Sequence, residues 1–179
     1  KILFSNATTA ESSTTWSTSF NNDGFSFNTS SGYVSAVGED YVSWTFRKAP
    51  KFFDVVTYTG TGTGTGERTI NHNLGIAPGL IILKDTTVAS HWIVYHRDGT
   101  DTGNYKKNLC LHRDIDESGN NFWVNDGITD TTFCFNDAFL NMNVSGNTYV
   151  AYVFAHDDSD ESMIKCGSYT GNSDADGPE

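Results

Sequence analysis

The strongest constraint on the fold is an internal repeat. Residues 25–46 align with residues 133–154 without a gap, so the two copies are 108 residues apart. The motif YTG recurs in the same way, first at residues 58–60 and again at 169–171, after a three-residue insertion. A repeat of this length predicts a tandem unit of about 108–111 residues, of which the chain holds about one and two-thirds. The matched residues are Phe25, Phe27, Asn28, Gly38, Tyr41, Val42 and Phe46 in the first copy and Phe133, Phe135, Asn136, Gly146, Tyr149, Val150 and Phe154 in the second.

The chain is out of phase with this repeat. Residues 1–50 correspond to the C-terminal part of one unit, residues 51–156 to a complete unit, and residues 157–179 to a linker and the start of a following unit. A β-sandwich needs both of its sheets to cover the core, so residues 1–48 need further strands to pack against. Three sources are open: the complete unit itself, another copy of the chain by strand exchange, or a longer protein of which this chain is an excerpt.

Short runs of alternating polar and apolar residues, separated by Gly, Asn, Asp and Ser, are typical of strands joined by turns. Aromatic residues make up 13% of the chain and prolines number only 3, which suits the same structure. The predicted fold class is therefore all-β, an antiparallel two-sheet sandwich of jelly-roll or lectin-like type. The predicted strands cover residues 41–46, 52–60, 67–75, 77–85, 91–97, 105–113, 122–126, 131–137 and 148–157, and residues 162–171 open the following unit.

Two local patterns sharpen this prediction. In residues 41–46 the side chains of Tyr41, Ser43 and Thr45 alternate with those of Val42, Trp44 and Phe46, as expected of a half-buried strand. Residues 59–66 read TGTGTGTG, which predicts a flexible loop, either at a hairpin tip or facing a ligand.

The charge balance excludes two classes of partner. The chain has a net charge of −11 and a pI of about 4.6. An acidic surface gains nothing from counterion release, so neither nucleic acid nor an anionic membrane surface is an expected partner. No apolar run approaches the ~20 residues that span a bilayer, so membrane insertion is not expected either.

The three cysteines fit no zinc motif by their spacing. Cys110 and Cys134 lie in strand-like runs, where a free cysteine usually behaves as a small buried hydrophobic residue. A disulfide between these two residues stays open at this stage.

One stretch resembles part of a calcium loop. Asp114, Asp116 and Ser118 place oxygen atoms at alternate positions and are followed by Gly119, as in the first half of such a loop. The twelfth position is Asn125, not the bidentate Glu that closes an EF-hand, so a polar hairpin turn is the alternative.

The five histidines are scattered and show no HxH or HExxH spacing. The acidic run at residues 156–162 is interpreted as a solvated linker between units.

No pattern of an enzyme is found in the sequence. It contains no GxSxG nucleophile elbow, no phosphate-binding GxxxxGK[ST] loop and no pair of carboxylates tied to a common cleft. We therefore predict a protein without catalytic residues.

Aromatic side chains are the best candidates for binding a ligand, because they can stack on the C–H faces of sugars. Of the tryptophans, Trp44 and Trp92 are expected in the core, while Trp123 stands next to Asn120 and Asn121 and is expected to be exposed. Trp16 and Tyr105 are further aromatic candidates. The predicted ligand-binding residues are Trp123, Asn120, Asn121, Trp92 and Tyr95.

Several longer phrases resemble a known repeated module. They are YVSWTFRKAPKFFDVVTYTGTG, RTINHNLGIAPGLIILK, HWIVYHR, NTYVAYVFAHD and MIKCGSYTGN. Together they are similar to a tandem β module in virion-associated proteins of tailed bacteriophages, especially marine ones. The resemblance covers nearly the whole chain and agrees with the repeat found above. It implies a structural or adhesive role on the particle and brings no catalytic residues with it.

The expected function is therefore that of a virion structural protein, in a tail fibre or appendage that attaches to the host surface. A capsid-decorating (cement) protein and a secreted carbohydrate-binding, lectin-like protein are the alternatives. The expected partners are other virion proteins, further copies of the chain through strand exchange by residues 1–48, and a glycan of the host surface. The expected location is the outside of the virion, and calcium is the one cofactor considered.

Overall fold

The computed structural model describes residues 2–13, 18–27, 34–62, 66–114, 118–136, 142–160 and 162–173. These residues form strands and a single turn of 3-10 helix, which confirms the predicted all-β fold. No helix among them has the length and apolar character needed to cross a membrane. The elements are β1 (Thr18–Asn21), β2 (Gly24–Phe27), β3 (Phe53–Thr59), β4 (Glu67–Asn71), β5 (Pro78–Asp85), β6 (Trp92–His96), β7 (Asp101–Thr102), β8 (Tyr105–Cys110), β9 (Ser118–Val124), the 3-10 turn (Asn125–Gly127), β10 (Thr132–Asn136) and β11 (Thr148–Ala155).

Strands β3 to β11, within the predicted complete unit of residues 51–156, form an antiparallel sandwich that is almost closed into a barrel. Its strands follow the order β3-β11-β5-β6-β8-β9-β10-β4, with β7 paired to β8. Strand β8 belongs to both layers: Leu109 and Cys110 pair with β6, while Tyr105 and Lys106 pair with β9. The two ends of the path, β3 and β4, are consecutive in the chain. The two layers are therefore joined through β8 into one path of strands that bends around a single core.

Strand β11 lies between β3 and β5 and shows how the alternating pattern builds the core. Its Tyr149, Ala151 and Val153 face inward and are fully buried, because alternate residues of a strand point to the same face. The other strands contribute large inward side chains in the same way. Each of these stabilises the fold by about 1.5–3 kcal/mol on burial. The core cluster also includes Leu74, Ile81, Leu83, Ile93, Phe122, Trp123, Phe133, Phe135 and Met142.

The residues before the complete unit add little regular structure. Strands β1 and β2 form an isolated two-stranded hairpin. Residues 2–12 cross the outer face of the unit, where the N–H of Glu11 donates to the carbonyl of Thr86 (3.0 Å) and that of Ser90 to Thr8 (2.8 Å). A second contact lies just before β3. The Phe46 ring packs on the rings of Phe53 (5.4 Å) and Phe154 (5.6 Å), and Lys48 forms an ion pair with Asp54 (2.9 Å).

Two predicted strands are not strands in this structure. Residues 41–46 have no regular secondary structure, and neither do residues 164–171. The prediction that Trp44 is a core residue is wrong, because its side chain is 81% exposed. The physical reason is that a strand needs neighbouring strands to pair its backbone groups, and the described structure places none beside either segment.

The Gly/Thr-rich segment is partly fixed. Of residues 59–66, residues 63–65 lie outside the described part of the chain. The N–H of Thr61 donates to the side-chain oxygen of Asn143 (2.9 Å), and the N–H of Gly62 donates to the Asn143 carbonyl (2.8 Å). Residues 60–62 have no regular secondary structure, as predicted of a loop, and these bonds dock them on the turn before β11.

Candidate functional site

The turn before β11 receives the loop that follows β3. The N–H of Gly60 donates to the Asn147 carbonyl (2.8 Å), and the N–H of Gly146 donates to the Gly60 carbonyl (3.1 Å). The approach is so close that a Cβ atom on Gly60 would overlap the carbonyl oxygen of Val144, so only glycine fits there. The Tyr149 hydroxyl closes the turn by accepting a hydrogen bond from the N–H of Val144 (2.9 Å).

The turn before residues 41–46 has the same local geometry. The Tyr41 hydroxyl accepts a hydrogen bond from the N–H of Ala36, five residues earlier (3.0 Å), as the Tyr149 hydroxyl does from its own turn. The φ angles of Gly38 and Gly146 are 84° and 83°, in the left-handed region that favours glycine. The local structure at this turn thus follows the sequence repeat. Among the described residues, however, no loop docks on this turn as residues 60–62 dock on the turn before β11.

Of the residues after β11, residues 156–166 are hydrogen-bonded to one another and packed on the unit, whereas Tyr169 is exposed. The N–H of Asp157 donates to the Ile164 carbonyl (3.4 Å), and the N–H of Cys166 donates to Nδ1 of His156 (3.0 Å). Ile164 also packs against the core. Beyond this anchor Tyr169 is 82% exposed, although it belongs to the same YTG motif as the docked end of β3.

A polar cleft of about 350 Å³ lies at one end of the unit. It is formed by the start of β5, the end of β6, the β7–β8 hairpin and the 3-10 turn. Its charged and polar residues come from five different segments, which the antiparallel topology brings to the same end of the sandwich. The lining residues are Ala77, Pro78, Tyr95, Arg97, Asp101, Lys106, Asn125, Ile128 and His156.

Hydrogen bonds hold the Asp101 carboxylate in a fixed orientation in this cleft. The buried Lys106 donates through Nζ to one Asp101 oxygen (2.7 Å) and to the Gly99 carbonyl (2.7 Å). The side-chain amide of Asn125 donates to the same Asp101 oxygen (3.0 Å). The bond from Lys106, followed by that from Asn125, lowers the pKa of Asp101, while burial raises the pKa of Tyr95 to about 12. The cleft thus offers an ionised carboxylate and a neutral hydroxyl group at neutral pH.

The prediction that Trp123 is exposed is wrong. Its side chain is 0% exposed, its indole N–H donates to the Val94 carbonyl (3.1 Å), and its ring packs edge to face on Tyr95 at 5.6 Å. Polar neighbours in the sequence misled the prediction, because a strand can carry a buried tryptophan directly beside polar residues. The structure brings Tyr95 and Trp123 together, but only Tyr95 lines the cleft.

Trp92 is buried, as expected, but outside the core cluster, and it does not line the cleft. It occupies the outer face of β6, where its indole N–H donates to the carbonyls of Phe4 (3.1 Å) and Ala7 (2.9 Å). Asn121 is engaged inside the unit, because its side-chain oxygen accepts a hydrogen bond from the Thr102 hydroxyl (2.5 Å). The side chain of Asn120 lies outside the described residues. The five predicted ligand-binding residues are therefore not gathered at one place.

The calcium prediction stays a prediction. Asp114 is exposed, while Asp116 and the side chain of Ser118 lie outside the part of the chain that the structure describes. Within that part, no group of three or more His, Cys, Asp or Glu residues is arranged to hold a metal ion.

All three cysteines are free thiols, so the disulfide between Cys110 and Cys134 that the sequence left open is not formed. Cys134 is buried, as predicted, and Cys110 is half-buried.

The chain matches a protein family over residues 1–179, and the description of this family is a domain of unknown function, DUF7483. The chain belongs to this family. No curated protein matches the chain, and no solved structure does. The geometry of this DUF7483 chain and the resemblance of its sequence motifs are therefore the two indications of its function.

One side-chain pair of this DUF7483 chain was not predicted from the sequence. Nδ1 of His91 lies 3.1 Å from Nε2 of His112, and the two rings stack at 5.1 Å. Burial, followed by the charge of the neighbouring His91, lowers the pKa of His112. The two residues are 21 positions apart on neighbouring segments, so no local spacing in the sequence signals their contact.

Proposed function

We propose that this chain is a non-enzymatic structural module of a bacteriophage particle, in a tail fibre or similar appendage that attaches to the host surface. The observation that carries the proposal is a complete sandwich flanked on both sides by strand-like segments with exposed apolar side chains. Val42 and Trp44 are 79% and 81% exposed before the unit, and Tyr169 is 82% exposed after it. Exposed strand-like segments of this kind favour association in series with further modules.

The resemblance of the quoted motifs to virion proteins supplies the setting for this assembly. A module of a particle needs solubility before it is incorporated, and the net charge of −11 supports that requirement through repulsion between free copies. A capsid-decorating protein would use the same flanking segments, so the position on the particle separates these two roles.

The polar cleft supports the attachment part of the proposal. Sugar hydroxyl groups need donors and acceptors that are held in place. Asp101 supplies a fixed acceptor, while Arg97 and Tyr95, which also line the cleft, can supply donors. A glycan of the host surface is therefore the ligand that we assign to the cleft.

The proposal is tested first by immunogold labelling of intact particles with an antibody raised against residues 51–156. Gold on the tail is the expected result. Gold spread over the head would assign the protein to capsid decoration. Particles without any gold would overturn the virion assignment and favour the secreted lectin-like alternative.

A glycan array tests the cleft separately. We expect the chain to bind at least one host-surface glycan and the variant Arg97→Gln to lose that binding. Arg113→Gln is the matched control, because Arg113 is an exposed arginine that does not line the cleft. Equal binding by the two variants would move the ligand site elsewhere, and binding lost on adding a chelator would point to a calcium-dependent lectin.

A further inference from the structure

We infer that residues 164–171 of one copy add as an antiparallel strand to residues 39–46 of a second copy of this chain. The inference rests on the proposed assembly role and names the contact that carries it. Residues 41–46 repeat the pattern of β11, and residues 169–171 repeat the end of β3. Inside the unit these two elements are paired with each other along their whole length. The contact between copies therefore rebuilds a pairing that the same chain already uses.

The known pairing fixes the register of the new one. In the unit, Tyr58 pairs with Tyr149 and Val55 pairs with Tyr152. Transferring these positions through the repeat pairs Tyr169 with Tyr41 and Cys166 with Trp44. The stacking of Tyr58 on Tyr149, with ring centroids 4.8 Å apart, would recur between Tyr169 and Tyr41.

The backbone of the C-terminal segment around Cys166, called the tail, is already oriented for this register. In the unit, the N–H of Ala155 donates to the Phe52 carbonyl and the N–H of Gly60 donates to the Asn147 carbonyl. Antiparallel pairs alternate between bonded and non-bonded, so Val55 opposite Tyr152 is a non-bonded pair. The matching Cys166 then points its N–H away from the acceptor strand of the second copy. In the structure this N–H donates to His156 instead, so the anchor of the tail and the new pairing are compatible.

The glycine that the docking turn requires is present in the tail. Gly171 corresponds to Gly60, whose missing Cβ lets the loop lie against the Val144 carbonyl. The receiving turn is also present, because the Tyr41 hydroxyl bond and the φ angle of Gly38 reproduce the turn before β11. A Cβ atom on Gly171 meets nothing within 4 Å in a single copy. This glycine is therefore required only when a second copy binds.

A second copy is the partner that the geometry favours. Each copy presents one tail and one acceptor segment, and neither segment belongs to a strand within the copy itself. The contact is heterologous, since the donor and acceptor surfaces differ, and such contacts build rings or filaments.

A disulfide trap tests the register between copies. One protein carries Trp44→Cys together with Cys166→Ser, and the other is the unaltered chain with Cys166. Cα atoms of a non-bonded pair are about 4.5 Å apart, which lies within the range of about 4.4–6.8 Å that a disulfide spans. Under mild oxidation of the mixture, we expect a disulfide-linked dimer of the two proteins on a non-reducing gel.

Three controls make the trap decisive. Val42→Cys with Cys166→Ser moves the thiol two residues along the acceptor, so it should give little dimer. Gly171→Ala in the donor should lower the dimer yield about tenfold or more, since overpacking of this kind costs association about 1.4 kcal/mol or more. Gly167→Ala, which is equally open in one copy and corresponds to Val56 of β3, should leave the yield unchanged. Each variant is first checked for an unchanged melting temperature.

Equal dimer from Trp44→Cys and Val42→Cys, or no dimer at all, would overturn the inference. A further variant carries Trp44→Cys and keeps Cys166. If its disulfide forms only within one chain and not between two chains, the inference is also overturned. None of these results depends on where the protein lies on a particle, so immunogold labelling still decides the proposed function independently.

Discussion

Residues 41–46 and residues 149–154 carry the same strand pattern in opposite environments. Tyr149 and Val150 are 0% and 8% exposed, whereas Tyr41 and Val42 at the matching positions are 52% and 79% exposed. The turns before the two segments are alike in conformation. Strand β11 has β3 and β5 on its two sides, and the described structure places no strand beside residues 41–46. Alternation thus makes a segment competent to form a strand, and its neighbours decide whether it does.

The physical reason is that a strand has two requirements at once. Its backbone N–H and C=O groups must be paired, and its apolar face must be covered by another layer. Strand β11 meets both through partners that are far away in the sequence. In the described chain residues 41–46 pair with no strand, and Phe46 at the end of the segment packs on Phe53 and Phe154. Four predictions test this comparison, from the largest effect to the smallest.

The largest effect is expected from matched substitutions of the two tyrosines. Tyr149→Ala removes a fully buried ring and should lower the free energy of unfolding by about 3–5 kcal/mol. Tyr41→Ala removes a half-exposed ring and should lower it by about 1 kcal/mol or less. Urea denaturation of the two variants measures the difference. Equal losses would mean that residues 41–46 already have a packed partner in the isolated chain.

The next effect concerns the two glycines of the YTG motif. Gly60→Ala forces a Cβ atom against the Val144 carbonyl and should destabilise the unit by about 3 kcal/mol. Gly171→Ala meets open space in one copy and should leave the melting temperature of dilute protein unchanged. A lower melting temperature of Gly171→Ala in dilute protein would show that residues 166–171 pack on their own chain.

A smaller effect is expected at the junction between the first copy and the unit. The Asp54 carboxylate, on β3, accepts hydrogen bonds from the N–H groups of Val55 (2.8 Å) and Asn73 (2.9 Å) and lies 2.9 Å from Nζ of Lys48. Burial raises the pKa of Asp54, but the bonds from Asn73 and Lys48 outweigh it, so the pKa is lowered from 3.8. The carboxylate therefore stabilises the fold above pH 3.8, and this contribution is lost as the pH falls through the lowered value.

Asp54→Asn should accordingly cost about 2 kcal/mol at pH 7. Because only the ionised carboxylate is favoured by the fold, the gap between variant and parent should shrink below about pH 4. Urea midpoints measured from pH 7 to pH 3 check the trend. A gap that stays constant over this range would show that the carboxylate charge is not what stabilises the junction.

The smallest effect comes from histidines of the complete unit. Burial lowers the pKa of His72 and of His112 below 6.5. The unfolded chain then binds more protons than the fold below pH 6.5, so stability should fall by about 1 kcal/mol or less between pH 7 and pH 5.5. His112→Gln should flatten that part of the curve in urea denaturation. An unchanged slope would mean that His112 ionises as easily in the fold as in the unfolded chain.

Much of the fold could be predicted from local patterns. Local strand patterns, an apolar run in β5 and short strand-like runs in β6, β10 and β11, predicted the positions of these strands to within a few residues. Gly38 and Gly146 were also matched from the sequence, and both have the positive φ that explains why glycine recurs there. The candidate site was harder to predict from the sequence. Of the five predicted ligand-binding residues, Tyr95 lines the cleft. Arg97, Asp101 and Lys106 also line it but were not predicted, because they come together only in the folded chain.

By itself, the sequence determined that this protein is an all-β sandwich with a repeated strand pattern, since periodicity, turn residues and glycine positions act over a few residues. The tertiary structure decided which copy of the pattern is buried, that Trp123 faces inward, and that His91 meets His112. These outcomes depend on contacts between segments far apart in the chain, and the free energy of burying a side chain is set by the strands that cover it.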